Sequence, residues 1–437
     1  MSAADTIVAP ATPVGRSALA IVRIDGPLSS AILSALTGGT LPDERIATHT
    51  DIRFDDCVVT RYVAPRSFTG NDLVELTLHG NPLIVQQVID ACVALGARVA
   101  EPGEFTERAV LNGKLDLVQA ESIADLVNAR TPLQAKLSLR NVEGLLSRKA
   151  TAIRDTLLHV ISRLEAALDF AEEGYEFISR EECHARTQGA LDDVHEIAAT
   201  FRRGRTTQRG ISAVILGRPN SGKSTLLNRL VGSDRAIVTP VPGTTRDIVR
   251  ETIEIGGLPV TLSDTAGLRE SVDVVESIGV HRARDAARFA DLVLYLVDST
   301  RGLDDDDRAE LARLGQQLVI VVYTKRDLAE PPSNELAISA VTGSGMSELL
   351  ARLDAVVRER FAAPEQSPTI VNERQFGAVN ESAAALERAL ESINSGANEE
   401  LVVVDLYAAA NALASLTGGI SSDDVLAEIF SKFCIGK

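Results

Sequence analysis

The residues Gly217-Arg218-Pro219-Asn220-Ser221-Gly222-Lys223-Ser224 constrain this chain more than any other stretch. They fit the pattern G-x-x-x-x-G-K-[ST], and the flanks agree with it. Ile211 to Leu216 is a β-rich apolar run, and Thr225 to Leu230 reads as the start of a helix. Strand, glycine loop and helix in that order let backbone N–H groups wrap a phosphate against the positive end of the helix. Lys223 can then reach the β- and γ-phosphates, and the Ser224 hydroxyl can ligate Mg²⁺. The stretch predicts a nucleotide-binding α/β domain.

Strand and helix signals alternate from 211 to about 360, the pattern of a doubly wound sheet. Leu258 to Leu262 leads into Asp264-Thr265-Ala266-Gly267. A carboxylate at a strand end followed by a flexible glycine suits a Mg²⁺-linked switch that senses the γ-phosphate. Asp291 to Val297 and Leu318 to Tyr323 read as further strands, the second ending in Thr324-Lys325-Arg326-Asp327. A last strand near Leu336 to Ile338 runs into Ser339-Ala340. Asp327 can accept hydrogen bonds from N1–H and the N2 amino group of guanine, whereas adenine would leave a buried carboxylate unpaired. The Ala340 N–H is expected to meet guanine O6, so GTP is expected over ATP. Thr324 stands where the usual motif has asparagine, and Val341 where it has lysine. Loss of an amide that braces the pocket is expected to weaken affinity, while Asp327 keeps the specificity.

Between these motifs lies Thr239-Pro240-Val241-Pro242-Gly243-Thr244-Thr245-Arg246-Asp247, where a threonine that closes on Mg²⁺ would make a switch loop. Leu268 follows D-T-A-G where Ras-like GTPases have a water-orienting glutamine, so hydrolysis needs another arrangement. An amide oxygen at Asn220 could hold a monovalent cation between the phosphates and do the electrostatic work of an arginine finger. Asp304 to Asp307 reads as a solvated helix start with no function.

Outside this region the chain is less explicit. Its 437 residues predict two to four domains, with 45% hydrophobic residues to build their cores. Met1 to Pro10 lacks the basic and apolar regions of a signal peptide, and no apolar run is expected to reach the length of a membrane span. Cys57, Cys92, Cys183 and Cys434 lie far apart, which fits a reducing cytoplasm better than a disulfide framework or a zinc site. A formal charge of −17 means that any grip on nucleic acid needs a local basic patch or a helper protein.

Residues 1–118 read as α+β. Strands are expected at Thr6 to Ala9, Ala18 to Ile24, Cys57 to Val63 and Leu73 to Leu78. An amphipathic helix over Pro82 to Leu95 is expected to turn Leu83, Val88, Ile89 and Val93 inward. Long helices follow, with a stripe of Ile153, Leu157, Val160, Ile161, Leu164 and Leu168. Asp169, Glu172, Glu173 and Glu176 read as a solvated helix end, with a metal site as the alternative. Arg202-Arg203-Gly204-Arg205 with Arg209-Gly210 reads as a basic linker, either a polar hinge or a contact for nucleic acid.

The phosphate loop with Asn220, G-T-T-R-D at 243–247, D-T-A-G-L-R at 264–269 and Phe433-Cys434-Ile435-Gly436-Lys437 together resemble the MnmE (TrmE) family of tRNA-modification GTPases. The stretches Thr6 to Ala9, Gly15-Arg16, Ile21 to Ile24, Pro102 to Ala109 and Leu111 to Asp116 extend the resemblance over the whole chain. It implies a multidomain α+β and α/β fold. A tetrahydrofolate-binding and dimerisation domain would span 1–118, a discontinuous helical domain 119–210 and 369–437, and an inserted Ras-like P-loop GTPase domain 211–368. It also implies a homodimer that joins the FAD-carrying flavoprotein MnmG in a heterotetramer, acting on tRNA without a membrane. Together they would add an aminomethyl or carboxymethylaminomethyl group to C5 of wobble uridine, using a tetrahydrofolate one-carbon donor.

Residue by residue, the resemblance implies that Arg23, Glu75, Lys114 and Lys437 hold the folate. GTP would lie against Asn220, Ser221, Gly222, Lys223, Ser224, Thr225, Thr239, Val241, Gly243, Thr244, Thr245, Asp264, Thr265, Ala266, Gly267, Thr324, Lys325, Asp327, Ser339 and Ala340. K⁺ would be held by Asn220, Thr239, the Val241 backbone and Thr244, and Mg²⁺ by Ser224 and Thr245 with Asp264 nearby. Pro240 and Pro242 flank Val241 in a loop that the family writes T-x-I-x-G-T-T, and are expected to stiffen it. Glu276 would position the attacking water. Cys434 would be a nucleophile or activated thiol, unless it is a buried structural cysteine. A reading of another class is a regulatory GTPase of ribosome assembly, like Era or EngA. The terminal C-I-G-K with Arg23, Glu75 and Lys114 favours the modification reading.

Overall fold

A computed structural model describes residues 5–39, 41–170, 177–233, 235–237, 250–264, 288–364, 367–419, 423–431 and 433–436. The chain forms two compact units, one of residues 1–124, 140–192 and 378–437, the other of residues 125–139 and 193–377.

Alternating apolar residues build a six-stranded sheet in the first unit: β1 Ile7–Pro10, β2 Leu19–Asp25, β3 Thr48–Ile52, β4 Asp55–Tyr62, β5 Leu73–His79 and β6 Arg98–Val99. Its order is β3-β4-β5-β2-β1-β6, antiparallel except where β1 meets β6. Because side chains alternate across a strand, Val8 joins Val22, Ile24, Val74 and Leu76 on the face that packs with Ile32, Leu33, Val88 and Ile89. Those last four come from helices Ser29–Leu36 and Pro82–Ala94. Ile7 and Ala9 point the other way, to Leu73, Ala100 and Phe105. Asn81 caps helix Pro82–Ala94 through the Leu83 N–H, and Pro82 fills a position in the first turn that needs no donor. Leu83 and Val93 do not lie on the buried stripe as expected. Both are exposed, and Cys92, four residues from Val88 and three from Ile89, takes that place.

Helix Leu145–Asp169 buries Ile153, Leu157, Val160, Ile161 and Leu164 as expected, with Leu168 half-buried. It packs against helix Glu399–Thr417. The latter corrects the expectation that no segment could span a membrane, since it is long and apolar enough by length and composition. Val402, Leu406, Ala409, Leu413 and Leu416 are nevertheless buried in the unit, which makes it a core helix. The C-terminal residues return to the sheet. Ile435 bridges Pro102, and the Gly103 N–H donates to the Cys434 carbonyl at 3.3 Å. Gly436, at φ 93°, lies so close to the Pro10 carbonyl that a Cβ there would collide with it.

The second unit holds a five-stranded sheet of β7 Ile211–Gly217, β8 Arg250–Ile255, β9 Leu258–Asp264, β10 Leu292–Asp298 and β11 Val319–Thr324. The order is β11-β10-β7-β9-β8, parallel except for β8 at the edge, a strand outside the expectations above. Parallel strands are covered on both faces. Ile211, Ala213 and Ile215 pack with Leu226, Leu227 and Leu230 of helix Lys223–Val231 and with Leu349, Leu353 and Val357 of helix Met346–Phe361. Val214 and Leu216 pack with Val293, Tyr295, Val297 and Tyr323 on the opposite face. The strand expected at 336–338 is reduced to one parallel bridge between Tyr323 and Ala337. It stops there because Ser339 is already committed to a turn, its N–H donating to the Ser344 carbonyl at 2.8 Å.

The expected linker at 202–210 is instead helix Phe201–Arg209. Glycine usually disfavours a helix interior, but a Cβ at Gly204 would collide with the Ile370 carbonyl. Phe201 stacks on Phe376 with ring centroids 4.1 Å apart, and the Thr207 hydroxyl accepts from the Ala363 N–H at 2.9 Å. Packing overrides the local propensity.

Candidate functional site

The phosphate loop is bent by three residues with positive φ. Gly217 ends β7 at φ 144°, Asn220 sits at φ 62° and Gly222 at φ 90°. Asparagine is among the few side chains that tolerate the left-handed region, and here its amide is left exposed. Lys223 curls over the loop and donates from Nζ to the carbonyls of Gly217 at 2.9 Å and Arg218 at 2.8 Å. Ser224 and Thr225 are exposed on the first turn of helix Lys223–Val231, beside the N–H groups that no helical carbonyl satisfies. The Ser221 hydroxyl is buried and has no hydrogen-bond partner among the described residues.

Thr324, which lacks the usual amide, makes a brace of another kind. Its buried hydroxyl donates to the Ser221 carbonyl at 2.8 Å, with the Val297 carbonyl at 3.3 Å, so a brace to the phosphate loop exists without an amide. Lys325, at φ 58°, donates from Nζ to Asp298 at 2.6 Å. Burial opposes the charge on Asp298, but the hydrogen bonds from Lys325 and Thr300 outweigh it and hold the carboxyl below its usual range. Asp327 is exposed on the same loop, not buried as expected. The Arg326 N–H donates to the Ile338 carbonyl at 3.1 Å, which ties this loop to the turn bearing Ser339 and Ala340. Asp264 ends β9 in register with Ile215 of β7. The structure thus gathers the phosphate loop, Asp264, Thr324 to Asp327 and Ser339-Ala340 along one end of the sheet. Thr239, Val241, Gly243, Thr244, Thr245, Thr265, Ala266, Gly267 and Glu276 lie outside the described residues.

The acidic run at 304–307 is more than a solvated helix start. Asp304 and Asp307 form a capping box on helix Asp305–Leu314, and buried Asp307 accepts from the Tyr295 hydroxyl at 2.8 Å. Burial and the Asp307 charge push the Tyr295 phenol well up. Arg218 of the phosphate loop reaches Asp304 at 2.9 Å and also pairs with Asp306. No sequence signal joins positions this far apart. A small pocket beside this contact is lined by Arg218, Ser221, Leu296, Asp298, Arg301 and Asp307, among others.

In the first unit, Arg23 and Glu75 are opposed in register on β2 and β5 and pair at 2.8 Å. The Tyr62 hydroxyl donates to the other Glu75 oxygen at 3.3 Å, and the Arg23 guanidinium lies 5.6 Å from the centre of the Phe68 ring. Burial and the Glu75 charge raise the Tyr62 phenol. Lys114 donates to the Pro65 carbonyl at 3.0 Å, and Asn112 to the Thr69 carbonyl at 2.7 Å, on the loop that carries Phe68. Cys434 is exposed, which corrects its reading as a buried structural cysteine. Lys437 lies outside the described residues. Of the acidic cluster, Asp169 ends its helix and the glutamates lie outside the described residues; no metal-binding group occurs among those described.

One buried network was not foreseen. Arg108 contacts Asp5 at 2.6 Å, Asp25 at 3.0 Å and Glu104 at 3.1 Å, and Arg98 joins Glu104 at 2.7 Å. Only the four-residue step from Glu104 to Arg108 could have signalled it.

A description of the GTP-binding protein TrmE N-terminus matches residues 6–114, and one of the MnmE helical domain matches residues 117–434. The tRNA modification GTPase MnmE of Dichelobacter nodosus is 41% identical over 453 residues, covering 100% of both chains. That of Nitrosomonas europaea is 41% identical over 454 residues, again covering 100% of both. That of Acetivibrio thermocellus is 37% identical over 455 residues, with 99% of each chain covered. Among solved structures, the G domain of T. maritima FeoB overlaps 34% of this chain and 99% of its own at 25% identity, with a TM-score of 0.25. Full-length identity at this level, on top of a phosphate loop braced by Thr324 and an Arg23–Glu75 face, settles the family: the chain belongs to the MnmE tRNA modification GTPases.

Proposed function

We propose that the chain is a K⁺-dependent GTPase that works with the flavoprotein MnmG in the cytoplasm. The pair would add an aminomethyl or carboxymethylaminomethyl group to C5 of wobble uridine in certain tRNAs, with a tetrahydrofolate derivative as one-carbon donor. The observation that carries this reading is the return of Cys434 to Gly436 to the unit that bears Arg23, Glu75 and Lys114. A terminal thiol and a polar face with an aromatic wall suit a heteroaromatic one-carbon carrier. Arg23 and Glu75 satisfy each other, yet each keeps donors or lone pairs for a pterin edge. Lys114 and Lys437 would meet the glutamyl tail.

In the nucleotide site, Asp327 and the Ala340 N–H select guanine, and Lys223 holds the β- and γ-phosphates. The exposed Ser224 hydroxyl, with Thr245, suits Mg²⁺. The exposed amide of Asn220, held at φ 62°, suits K⁺ together with Thr239, the Val241 carbonyl and Thr244. When bound, these cations offset charge that develops on the phosphate oxygens. Glu276 positions the attacking water by accepting its hydrogen bond. The proposed domains are 1–118 for folate and dimerisation, 119–210 and 369–437 for the helical part, and 211–368 for GTP, in a homodimer that joins MnmG as a heterotetramer.

GTP turnover by the purified chain, in K⁺ and then in Na⁺ at equal ionic strength, tests the cation mechanism. Stimulation by K⁺ of tenfold or more is expected, on the order of one lost cation contact in the transition state. Equal rates in both salts would sink it.

A further inference from the structure

A chain of formal charge −17 that acts on tRNA must meet a polyanion somewhere. Helix Phe201–Arg209 stands apart from this acidity, with Arg202, Arg203, Arg205 and Arg209 and no carboxylate in nine residues. All four arginines are exposed, because the helix turns Gly204 and Thr207 inward. At 3.6 residues per turn, Arg202, Arg205 and Arg209 share one face.

Helix Met346–Phe361 extends the patch. Arg203 donates to the Glu359 carbonyl at 3.1 Å, which puts the last turn of that helix, with exposed Arg358 and Arg360, beside it. The hairpin of β8 and β9 links the two elements from below, with Pro259 against Gly210 and Gly256 against the Arg358 backbone. Glu373 neutralises Arg205 at 2.6 Å, and of the carboxylates on the neighbouring helix Asp354 is engaged by Arg235 at 2.8 Å, while Glu359 is exposed. The side chains of Arg202, Arg209, Arg358 and Arg360 have no hydrogen bond or ion pair among the described residues.

A structural account covers part of this arrangement. Cations near a helix C-terminus complement its dipole, which explains Arg209, Arg358 and Arg360. Arg202 and Arg203 sit in a first turn, where the dipole opposes them, and only Arg203 has a carbonyl to offset this. We propose that this surface binds the phosphodiester backbone of tRNA, supplying electrostatic grip without reading sequence. The inference rests on the assignment of the chain to tRNA modification.

The test is tRNA binding by the full chain, followed by fluorescence anisotropy across a range of salt concentrations. Four lost phosphate contacts, at about 0.7 to 0.9 each, should make the plot of log K against log salt shallower by about 3 in the variant R202Q/R209Q/R358Q/R360Q. GTP turnover without tRNA should stay at the wild-type rate, which shows that the variant is folded. The lysine variant R202K/R209K/R358K/R360K should keep the wild-type slope, because a phosphate needs only the charge. An unchanged slope in the glutamine variant overturns the surface. Wobble nucleosides from cells whose sole copy is the wild-type chain give the second readout. Normal modification with an unchanged slope overturns the surface alone, and absent modification overturns the underlying reading with it.

Discussion

The Thr324 hydroxyl donates to the Ser221 carbonyl at 2.8 Å, joining the end of β11 to the phosphate loop across 103 positions of sequence. Both residues are buried, so the carbonyl has no water to turn to. Thr324→Ala should cost about 1–3 kcal/mol, the usual penalty for a buried group that loses its partner. Thr324→Ser should restore most of it. Thermal unfolding with and without GTP checks both, and equal behaviour of the two variants would remove the brace from the account.

Arg218 holds the same loop from the other side, through Asp304 and Asp306. Arg218→Met should speed nucleotide release several-fold, on the scale of about 1–1.5 kcal/mol for a charge-assisted contact. Asp306 is 81% exposed, so Asp306→Asn should change release by less than about twofold. Stopped-flow release of a fluorescent guanine nucleotide distinguishes them, and a wild-type rate for Arg218→Met would show that the acidic run holds only its own helix.

Acid should loosen the first unit. Burial opposes the charges on Asp5 and Glu104, but hydrogen bonds from Arg98, helped by Arg108, outweigh it and hold both carboxyls below their ordinary values of 3.8 and 4.5. A depressed folded pKa gives stability that is present above the unfolded value and lost as pH falls through the folded one. Urea midpoints should therefore hold near neutrality and drop below about pH 4.5. Glu104→Gln should flatten that drop and lower stability at pH 7 by about 3–5 kcal/mol, because Arg98 and Arg108 lose a buried partner. A slope unaltered by the substitution would point to other carboxylates.

Gly436→Ala should free residues 433–436 from β1, since a Cβ cannot fit against the Pro10 carbonyl and φ 93° disfavours alanine. Hydrogen exchange at Gly103, whose N–H meets the Cys434 carbonyl, should quicken while GTP turnover stays unchanged. Slow exchange in the variant would mean that the bridge from Pro102 to Ile435 suffices alone.

The parts legible in the sequence were those with local causes. Gly217 to Ser224 carries its own geometry, and the stripe from Ile153 to Leu164 follows the period of its helix. The parts that were not legible depend on distant partners. The stretch from Arg202 to Gly210 read as a linker because the carbonyl that requires Gly204 in a helix belongs to distant Ile370. The Thr324 substitution looked like a loss because its acceptor, Ser221, lies in another motif. Asp304 to Asp307 looked solvated because nothing nearby announces Arg218. Leu83 and Val93 had the right spacing, but which flank of the stripe faces the sheet is decided by the strands beneath it.

The bridge between Pro102 and Ile435 joins positions 333 apart, 435 minus 102, inside one unit. During synthesis, the first unit therefore waits for the helices and the entire nucleotide-binding sheet before the residues that meet Pro102 and Pro10 are made. The nucleotide-binding unit, complete by residue 377, can therefore fold before the first unit closes.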